Sequence, residues 1–323
     1  MYHFIFIFLK KKTLSIYLKS LKRKMEEHIS QVSQEDQELF NQFLKEKKEF
    51  EDSFHYLQIY FASGGQKLYK YWKDESLIFF SQNRRGHIKV FKPLGKKGER
   101  ELPLLISHLS TKTSHPIDLR FLTKERVKFL KEKNISLSRL QRIEFLIYSL
   151  SEEGVLGLKG KRWKNVRQKC NQFSKRWLPS LTVESLSQEN LKDAVHFFGK
   201  WKRTAKERGF SYINIEKNKR AVRYLVERID NKNVWCLLYR LRGKVEGVQA
   251  LYRINEHTAA HVIGMVNIGF KGFSEWSQIY VWRKMFEAGV KYINDGYSWT
   301  APLREYKMKF HPAKVKIVYR GIY

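Results

Sequence analysis

The sequence predicts an α/β fold with mixed sheets, in which two halves of the chain repeat one order of elements. Two observations lead to this prediction. Each half contains a hairpin of apolar strands around a glycine turn, NRRG at 83–86 and Arg242-Gly243-Lys244. In each half a helix, a strand, a second helix and a last strand come after the hairpin, and the second half adds a third strand directly after its hairpin. The same order of elements twice in 323 residues favours a duplicated fold.

The first half begins with a helix predicted over 29–50, on whose apolar side lie Leu39, Phe43 and Phe50. Thr123 is placed to cap the second of two later helices, because its hydroxyl can accept from a free amide of the first turn. The remaining elements of this half are strands at 76–81 and 87–91, a helix near 99–110, a strand at 117–122, the capped helix to about 133 and a strand at 143–148.

The second half opens with two helices and then repeats the order. Pro302 suits the first turn of a short helix that reaches Phe310. The elements are helices near 189–208 and 217–230, strands at 234–241, 245–254 and 258–266, a helix near 274–288, a strand at 291–295, the short helix and a strand at 314–319. This order is that of a tandem acetyltransferase-like (GNAT) fold. The predicted divisions are an extension at 1–24, halves at 25–158 and 189–323, and a basic helix with linker at 159–188.

The charge predicts a polyanionic partner. The chain has 63 Lys and Arg against 32 Asp and Glu, a net charge of +31, and this field attracts nucleic acid or anionic lipid. Its 42% hydrophobic content is too high for a disordered polycation. Cys170 and Cys236 are too far apart in sequence to suggest a disulfide framework or a metal-ligand pair. His257 and His261 have i,i+4 spacing, but in a predicted strand, so we expect no metal.

Residues 1–24 allow two interpretations. FIFIFL at 4–9 is too short to span a bilayer, which takes about 20 residues. The seven cations of 10–24 then suit either a disordered extension or a peripheral anchor on anionic lipid. We therefore expect a cytoplasmic protein that is disordered at this end or held at the inner face of the membrane.

The stretch 160–177, GKRWKNVRQKCNQFSKRW, predicts a helix with two opposite faces. Its apolar residues recur every three or four positions, and seven cations without an acid fall between them. The apolar residues are Trp163, Val166, Cys170, Phe173 and Trp177. Such a helix can dock on the protein and present its cations to RNA phosphates, whereas an ordinary solvated face mixes both signs of charge. A merely solvated face remains the alternative.

Two stretches resemble the C-terminal domain of phosphatidylglycerol lysyltransferases. The first runs from Leu158 through Gly160 and Trp163 to Arg167, Asn171 and Phe173. The second is YINDGYSWTAPLREYKMKFHP at 292–312. The resemblance covers about 50–320 and implies a tandem GNAT-like fold. It also implies transfer of an aminoacyl group from aminoacyl-tRNA to a lipid headgroup, with the RNA as donor and no separate cofactor. The chain departs from the lipid-modifying members in having no multi-spanning membrane domain, which leaves the acceptor open.

In aminoacyl transfer from tRNA, a nucleophile attacks an activated ester carbonyl. The catalyst must bind the polyanionic donor, position the nucleophile and stabilise an oxyanion. Asp295 follows a predicted strand and can bind an amino group or act as a base, or else cap a turn. Arg304 and Lys307 are i,i+3 on the helix after Pro302, and can hold the tRNA end or an anionic acceptor, or else face solvent. The residues expected to bind tRNA or another anion are Lys159, Gly160, Lys161, Arg162, Lys164, Arg167 and Asn171, with Lys169 beside them.

Two other functions are compatible with the sequence. Acyl-CoA-dependent transfer needs a glycine loop for the diphosphate before the crossover helix. The nearest match, Arg240 to Val245, lies in a hairpin, and the loop NIGFKGFSEW at 267–276 lacks the pattern. A non-catalytic RNA-binding protein on a transferase fold would carry the same charge.

Overall fold

The computed structural model describes residues 25–33, 36, 59, 66–95, 97–207, 215–227, 233–298 and 300–323. The extension at 1–24 lies outside these residues. Contacts divide the chain into two units. Described residues of 1–46, 62–142 and 318–323 form the first unit, and Ile59 with described residues of 143–317 forms the second.

The first unit is a mixed sheet with two helices. Its strands and helices are β1 (Ile29–Gln31), β2 (Lys67–Lys73), β3 (Ser76–Gln82), β4 (Ile88–Val90), α1 (Gly98–Ser110), β5 (Ile117–Leu122) and α2 (Lys124–Glu132). The strands β1 to β4 pair antiparallel in sequence order, and β4 and β5 are parallel because α1 crosses between them. The cap predicted at Thr123 is confirmed, since its hydroxyl oxygen accepts from the Arg126 amide at 3.3 Å.

From the strand Val234–Leu241 onward, the second unit repeats the order of β2 to α2, and the first three strands of this repeat are longer. It contains β6 from Ile143 onward (Ser138–Ser149), α3 (Lys164–Trp177), β7 (Leu181–Ser185), α4 (Leu191–Glu207), α5 (Ile215–Val226), β8 (Val234–Leu241), β9 (Lys244–Arg253), β10 (Thr258–Val266), α6 (Phe273–Glu287), β11 (Tyr292–Tyr297) and α7 (Ala301–Met308). The sheet order is β6-β11-β10-β9-β8-β7. Here α6 crosses between the parallel strands β10 and β11. The predicted α/β class with mixed sheets and a repeated order is confirmed.

The helix predicted over 29–50 is wrong at its start. Residues Ile29–Gln31 form the strand β1, which the sequence did not predict, and this strand pairs with β2. Ile29 lies opposite Tyr71 and packs against the core of the first unit, so tertiary contact outweighs local helix preference. Most of the remaining positions to 50 lie outside the described residues.

The last strand of each half lies in a different place from that expected. The end of β12 (Lys314–Ile322) pairs with β5 in the first unit, with Tyr319 opposite Leu122. In the second unit β6 pairs antiparallel with β11, with Tyr148 opposite Ile293. Contacts therefore place residues 143–158 in the second unit and residues 318–323 in the first unit. The sequence divisions 25–158 and 189–323 assign both segments the other way.

Within the ranges that are described, no helix has both the length and the apolar character required to cross a bilayer.

Candidate active site

The basic helix α3 is fixed to the second unit by its apolar side. Trp163, Val166 and Cys170 are buried in one core cluster with Trp282, and Phe173 is fully buried in another. The Phe173 ring stacks on Phe273 with centroids 4.7 Å apart. The predicted apolar seam is thus confirmed over these four positions, while Trp177 is only partly buried.

The opposite side of α3 and the turn before it present cations to solvent. Six of the seven predicted anion-binding residues are exposed: Lys159, Gly160, Lys161, Arg162, Lys164 and Asn171. Arg167 is different, because its guanidinium donates to the backbone carbonyls of Leu158 and, at 3.2 Å, Gly160. Arg167 therefore holds the 158–160 turn in place, and the other cations form the exposed basic face.

The helix α3 also covers the start of the crossover helix α6. Gly272 caps α6 with φ +85°, and a Cβ atom there would overlap the carbonyl oxygen of Lys169. The Lys169 ammonium lies 2.9 Å from the carboxylate of Glu275 in the first turn of α6. Backbone, aromatic and charged contacts from α3 thus occupy the N-terminal end of this helix.

The strands β10 and β11 part near the middle of their length. Their parallel pairing ends at Ala260 opposite Asn294, and a bulge interrupts β10 between His261 and Ile263. Asp295 follows the last pair on β11. Its Oδ1 atom lies 3.1 Å from Nδ1 of His261, and its Oδ2 atom lies 3.3 Å from Nζ of Lys307 on α7. A cluster of polar side chains therefore lies where the pairing of β10 with β11 ends.

The hydrogen bonds of His261 define its role in this cluster. Its Nε2 atom is 3.0 Å from the carbonyl oxygen of Ile263, and its Nδ1 atom is near both Asp295 and the Gln278 amide at 2.9 Å. A carbonyl oxygen only accepts hydrogen bonds, so the ring donates from Nε2 to Ile263. The ring joins the bulge of β10 to β11 and α6.

Asp295 is held as a carboxylate. Burial acts to raise its pKa, but the charges of Lys307 and His261 and the hydrogen bonds from them outweigh burial and hold the pKa below its ordinary value. Lys307 also donates to the backbone carbonyl of Asp295. One carboxylate oxygen faces the His261 ring and the other faces the Lys307 ammonium, so this side chain is arranged to position its neighbours.

The side chains of Arg304 and Lys307 point in different directions, although these residues are i,i+3 on α7. Lys307 is buried against Asp295, whereas the Arg304 side chain is 51% exposed and donates from Nε to Glu144 at 2.7 Å. The three predicted catalytic residues therefore comprise a buried pair and a separate, accessible guanidinium.

The family model described as "Phosphatidylglycerol lysyltransferase, C-terminal" matches residues 43–320. The chain belongs to this family. No curated protein matches the sequence.

Solved structures of several other proteins are similar to this member of the lysyltransferase C-terminal family. A conserved protein of unknown function from Bacteroides thetaiotaomicron has a TM-score of 0.70 and 15% identity, covering 91% of this chain and 98% of that one. L-PGS from Bacillus licheniformis has a TM-score of 0.57 and 17% identity, covering 90% of this chain and 92% of that one. A tandem GNAT protein from the clavulanic acid biosynthesis pathway has a TM-score of 0.51 and 7% identity, covering 80% of this chain and 81% of that one. These likenesses show the tandem GNAT-like fold, and the family places the chain among acyl-group transferases.

A second polar cluster of this family member was missed by sequence reasoning. Glu275 is 4% exposed and is shared by Lys169, at 2.9 Å, and Lys309, at 4.0 Å. Lys309 lies at the C-terminal end of α7, with its Nζ atom 5.5 Å from the centre of the Tyr306 ring. Burial raises the pKa of Tyr306, and the charges of Glu275 and Asp295 add to this effect.

The pKa values of the two lysines in this second cluster reflect an excess of positive charge. The hydrogen bond to Glu275 raises the pKa of Lys169. Burial and the neighbouring Lys169 lower the pKa of Lys309, and Glu275 only partly opposes them. A sequence signal for this cluster existed in part, because Lys309 belongs to the motif at 292–312, whereas Glu275 resembled an ordinary first-turn acid.

Metal binding has no site among the residues that the structure describes, since no three His, Cys, Asp or Glu side chains are grouped there.

Proposed function

We propose that this chain transfers an aminoacyl group from aminoacyl-tRNA to an acceptor hydroxyl, such as that of a phosphatidylglycerol headgroup, without a further cofactor. The ester bond from the aminoacyl carbonyl to the terminal ribose breaks, and a new ester bond forms to the acceptor oxygen. The proton of the acceptor hydroxyl passes to the ribose oxygen. The exposed basic face of α3, in a chain of this family, is the observation on which the proposal rests.

The basic face supports an RNA donor. Lys161, Arg162 and Lys164 are exposed within one turn, and the stretch 160–177 contains no acid to neutralise them. RNA phosphates bind such a surface through charge and counterion release, which requires no base-specific contact. Anionic lipid would be attracted to the same field, so a membrane surface is a second proposed partner.

The start of α6 favours RNA over acyl-CoA as the donor. A CoA diphosphate would need the backbone before this crossover helix. That backbone is packed against Lys169, and Phe173 covers Phe273 in the first turn. In the second unit, the packing of α3 against the start of α6 thus supports a donor other than acyl-CoA.

The roles proposed for the three predicted catalytic residues follow from their exposure. Arg304 is accessible and can stabilise the oxyanion or hold an anionic acceptor. Asp295 and Lys307 form the buried support that fixes α7 relative to β11, and they would act by positioning.

The test uses the full chain with aminoacyl-tRNAs carrying radiolabelled amino acids and vesicles of phosphatidylglycerol. We expect label to move from the RNA to the lipid fraction, and to do so without added CoA. Vesicles of phosphatidylcholine are the matched control, because their headgroup has no free hydroxyl. Binding of tRNA without loss of its amino acid would instead indicate a non-catalytic RNA-binding protein. Transfer that depends on acetyl-CoA would contradict the proposed donor.

A further inference from the structure

The pair of lysines around Glu275 forms a distinct charged cluster at the surface of the second unit. Lys169 comes from α3, Glu275 from α6 and Lys309 from the end of α7, so three elements bring these groups together. The carboxylate is buried, with its side chain 6% exposed, while the two lysine side chains are 31% and 33% exposed. The ammonium groups are therefore accessible from solvent and the acid is behind them.

The cluster has two positive charges for one negative charge. After burial, the charge of Lys169 is the largest cause that lowers the pKa of Lys309, so two like charges lie close together. Lys169 is 2.9 Å from the carboxylate and Lys309 is 4.0 Å from it, which leaves Lys309 less well compensated. An anion placed between the two ammonium groups would supply the missing negative charge and accept their remaining hydrogen bonds.

We propose that Lys169, Glu275 and Lys309 form a binding site for a phosphodiester in the 3′-terminal nucleotides of the donor RNA. This rests on the proposed function. The position of Lys169 favours RNA over lipid, because it lies on α3, and the exposed cations Lys161, Arg162 and Lys164 lie at the start of α3 and in the turn before it. The phosphates of a strand bound along that helix can continue to Lys169, and the terminal ribose would then lie near α7.

Glu275 has a defined and testable effect in this site. It orients both lysines, but its negative charge also repels the phosphodiester. Replacement by glutamine keeps a hydrogen-bonding group of the same size and removes the repulsion. If the cluster serves only to fix α3 to α6, the same replacement would bring no gain in anion affinity.

The experiment measures the affinity of the full chain for the trinucleotide CCA and, separately, for glycerophosphoglycerol, the soluble headgroup of phosphatidylglycerol. The variants are Lys169→Gln with Lys309→Gln, Lys309→Gln alone, and Glu275→Gln. Lys175→Gln is the matched control, because Lys175 is exposed on the same helix. Thermal unfolding of each variant shows whether it folds. If the double variant does not fold, the CCA affinity of Lys309→Gln alone tests the site.

We expect Lys309→Gln to weaken CCA binding about tenfold, the double variant to weaken it further, and Glu275→Gln to strengthen it several-fold. Lys175→Gln should change it by less than about twofold. Unchanged CCA affinity in folded Lys309→Gln would overturn the site. Dependence of glycerophosphoglycerol but not CCA on these lysines would overturn the RNA assignment in favour of the lipid headgroup. If wild-type protein transfers no aminoacyl group, the proposed function fails, but the CCA result still tests the site.

Discussion

Nζ of Lys307 lies 3.3 Å from Oδ2 of Asp295, and each of these side chains is only 11% exposed. The pair joins α7 to β11 where β10 and β11 part. Because the charges are buried, each of them depends on the other for its stabilisation.

Asp295→Ala should therefore reduce stability as well as transfer. It leaves Lys307 and His261 buried without their carboxylate, at a cost of about 3–5 kcal/mol. Transfer should fall by about two orders of magnitude or more in protein that is still folded. Urea unfolding and the aminoacyl transfer assay check the two effects. Combining Asp295→Asn with Lys307→Met should recover part of the stability but none of the transfer, and full activity in that double variant would remove the pair from the site.

The stability of the protein should depend on Asp295 in acid. The folded-state pKa of this carboxyl is depressed, so its contribution is fully present above its unfolded pKa, about 4, and is lost as the pH falls through the lower folded value. Unfolding free energies of wild type and Asp295→Asn should thus converge below about pH 4. Denaturant titrations between pH 2.5 and pH 6 measure this, and curves that stay parallel would contradict it.

Arg304→Ala should reduce transfer by about two orders of magnitude without unfolding the protein. Arg304 is exposed, and its pair with Glu144 is of the surface kind that contributes about 0–1 kcal/mol. Lys284→Ala is a matched control, because Lys284 is similarly exposed and paired with Glu287. A normal transfer rate in Arg304→Ala would show that the guanidinium takes no part in the reaction.

The exposed cations at the start of α3 and in the turn before it should determine the salt dependence of tRNA binding. Replacing Lys161, Arg162 and Lys164 with Gln removes three phosphate contacts and should flatten the slope of log affinity against log salt by about 2 to 3. The loss should be similar for every tRNA species. Lys124, Lys128 and Lys131 on α2 provide a control triple substitution of equal charge. An unchanged slope in the α3 variant would mean that this face is only solvated.

Phe173→Ala should test the buried side of the same helix. The ring is fully buried against Phe273 and Trp276, so its removal should cost about 3–5 kcal/mol. Asn171→Ala, an exposed neighbour, should change stability by no more than about 0.5 kcal/mol. Chemical denaturation of both variants measures the difference. A stable Phe173→Ala protein that had lost RNA affinity would mean that the ring contacts bases.

The sequence predicted what depends on local periodicity and capping. The apolar seam from Trp163 to Phe173, the cap at Thr123 and the repeated order of elements all follow from spacing within about 20 residues. The strand β1 was missed because Ile29–Gln31 is extended only through its pairing with β2.

The candidate site was predictable only in part. Asp295, Arg304 and Lys307 share one motif, but their partners do not. His261 lies 34 positions before Asp295 and reaches it through the parallel crossover, and Glu275 reaches Lys169 over 106 positions. Long-range pairing of this kind leaves no local pattern. The sequence therefore suggested three converging catalytic groups, whereas the structure buries two of them together and leaves Arg304 apart.

The pairing of β12 with β5 has a consequence for the order in which the chain can fold during synthesis. Asp118 on β5 receives hydrogen bonds from Arg320, which the ribosome adds 202 residues later. Until residues 318–322 have been made, one edge of β5 has no partner from this strand, and Asp118 lacks one of its two arginines. The first half to be translated is thus among the last to be completed, and for most of the time of synthesis its exposed strand edge is a site for chaperone binding or mispairing.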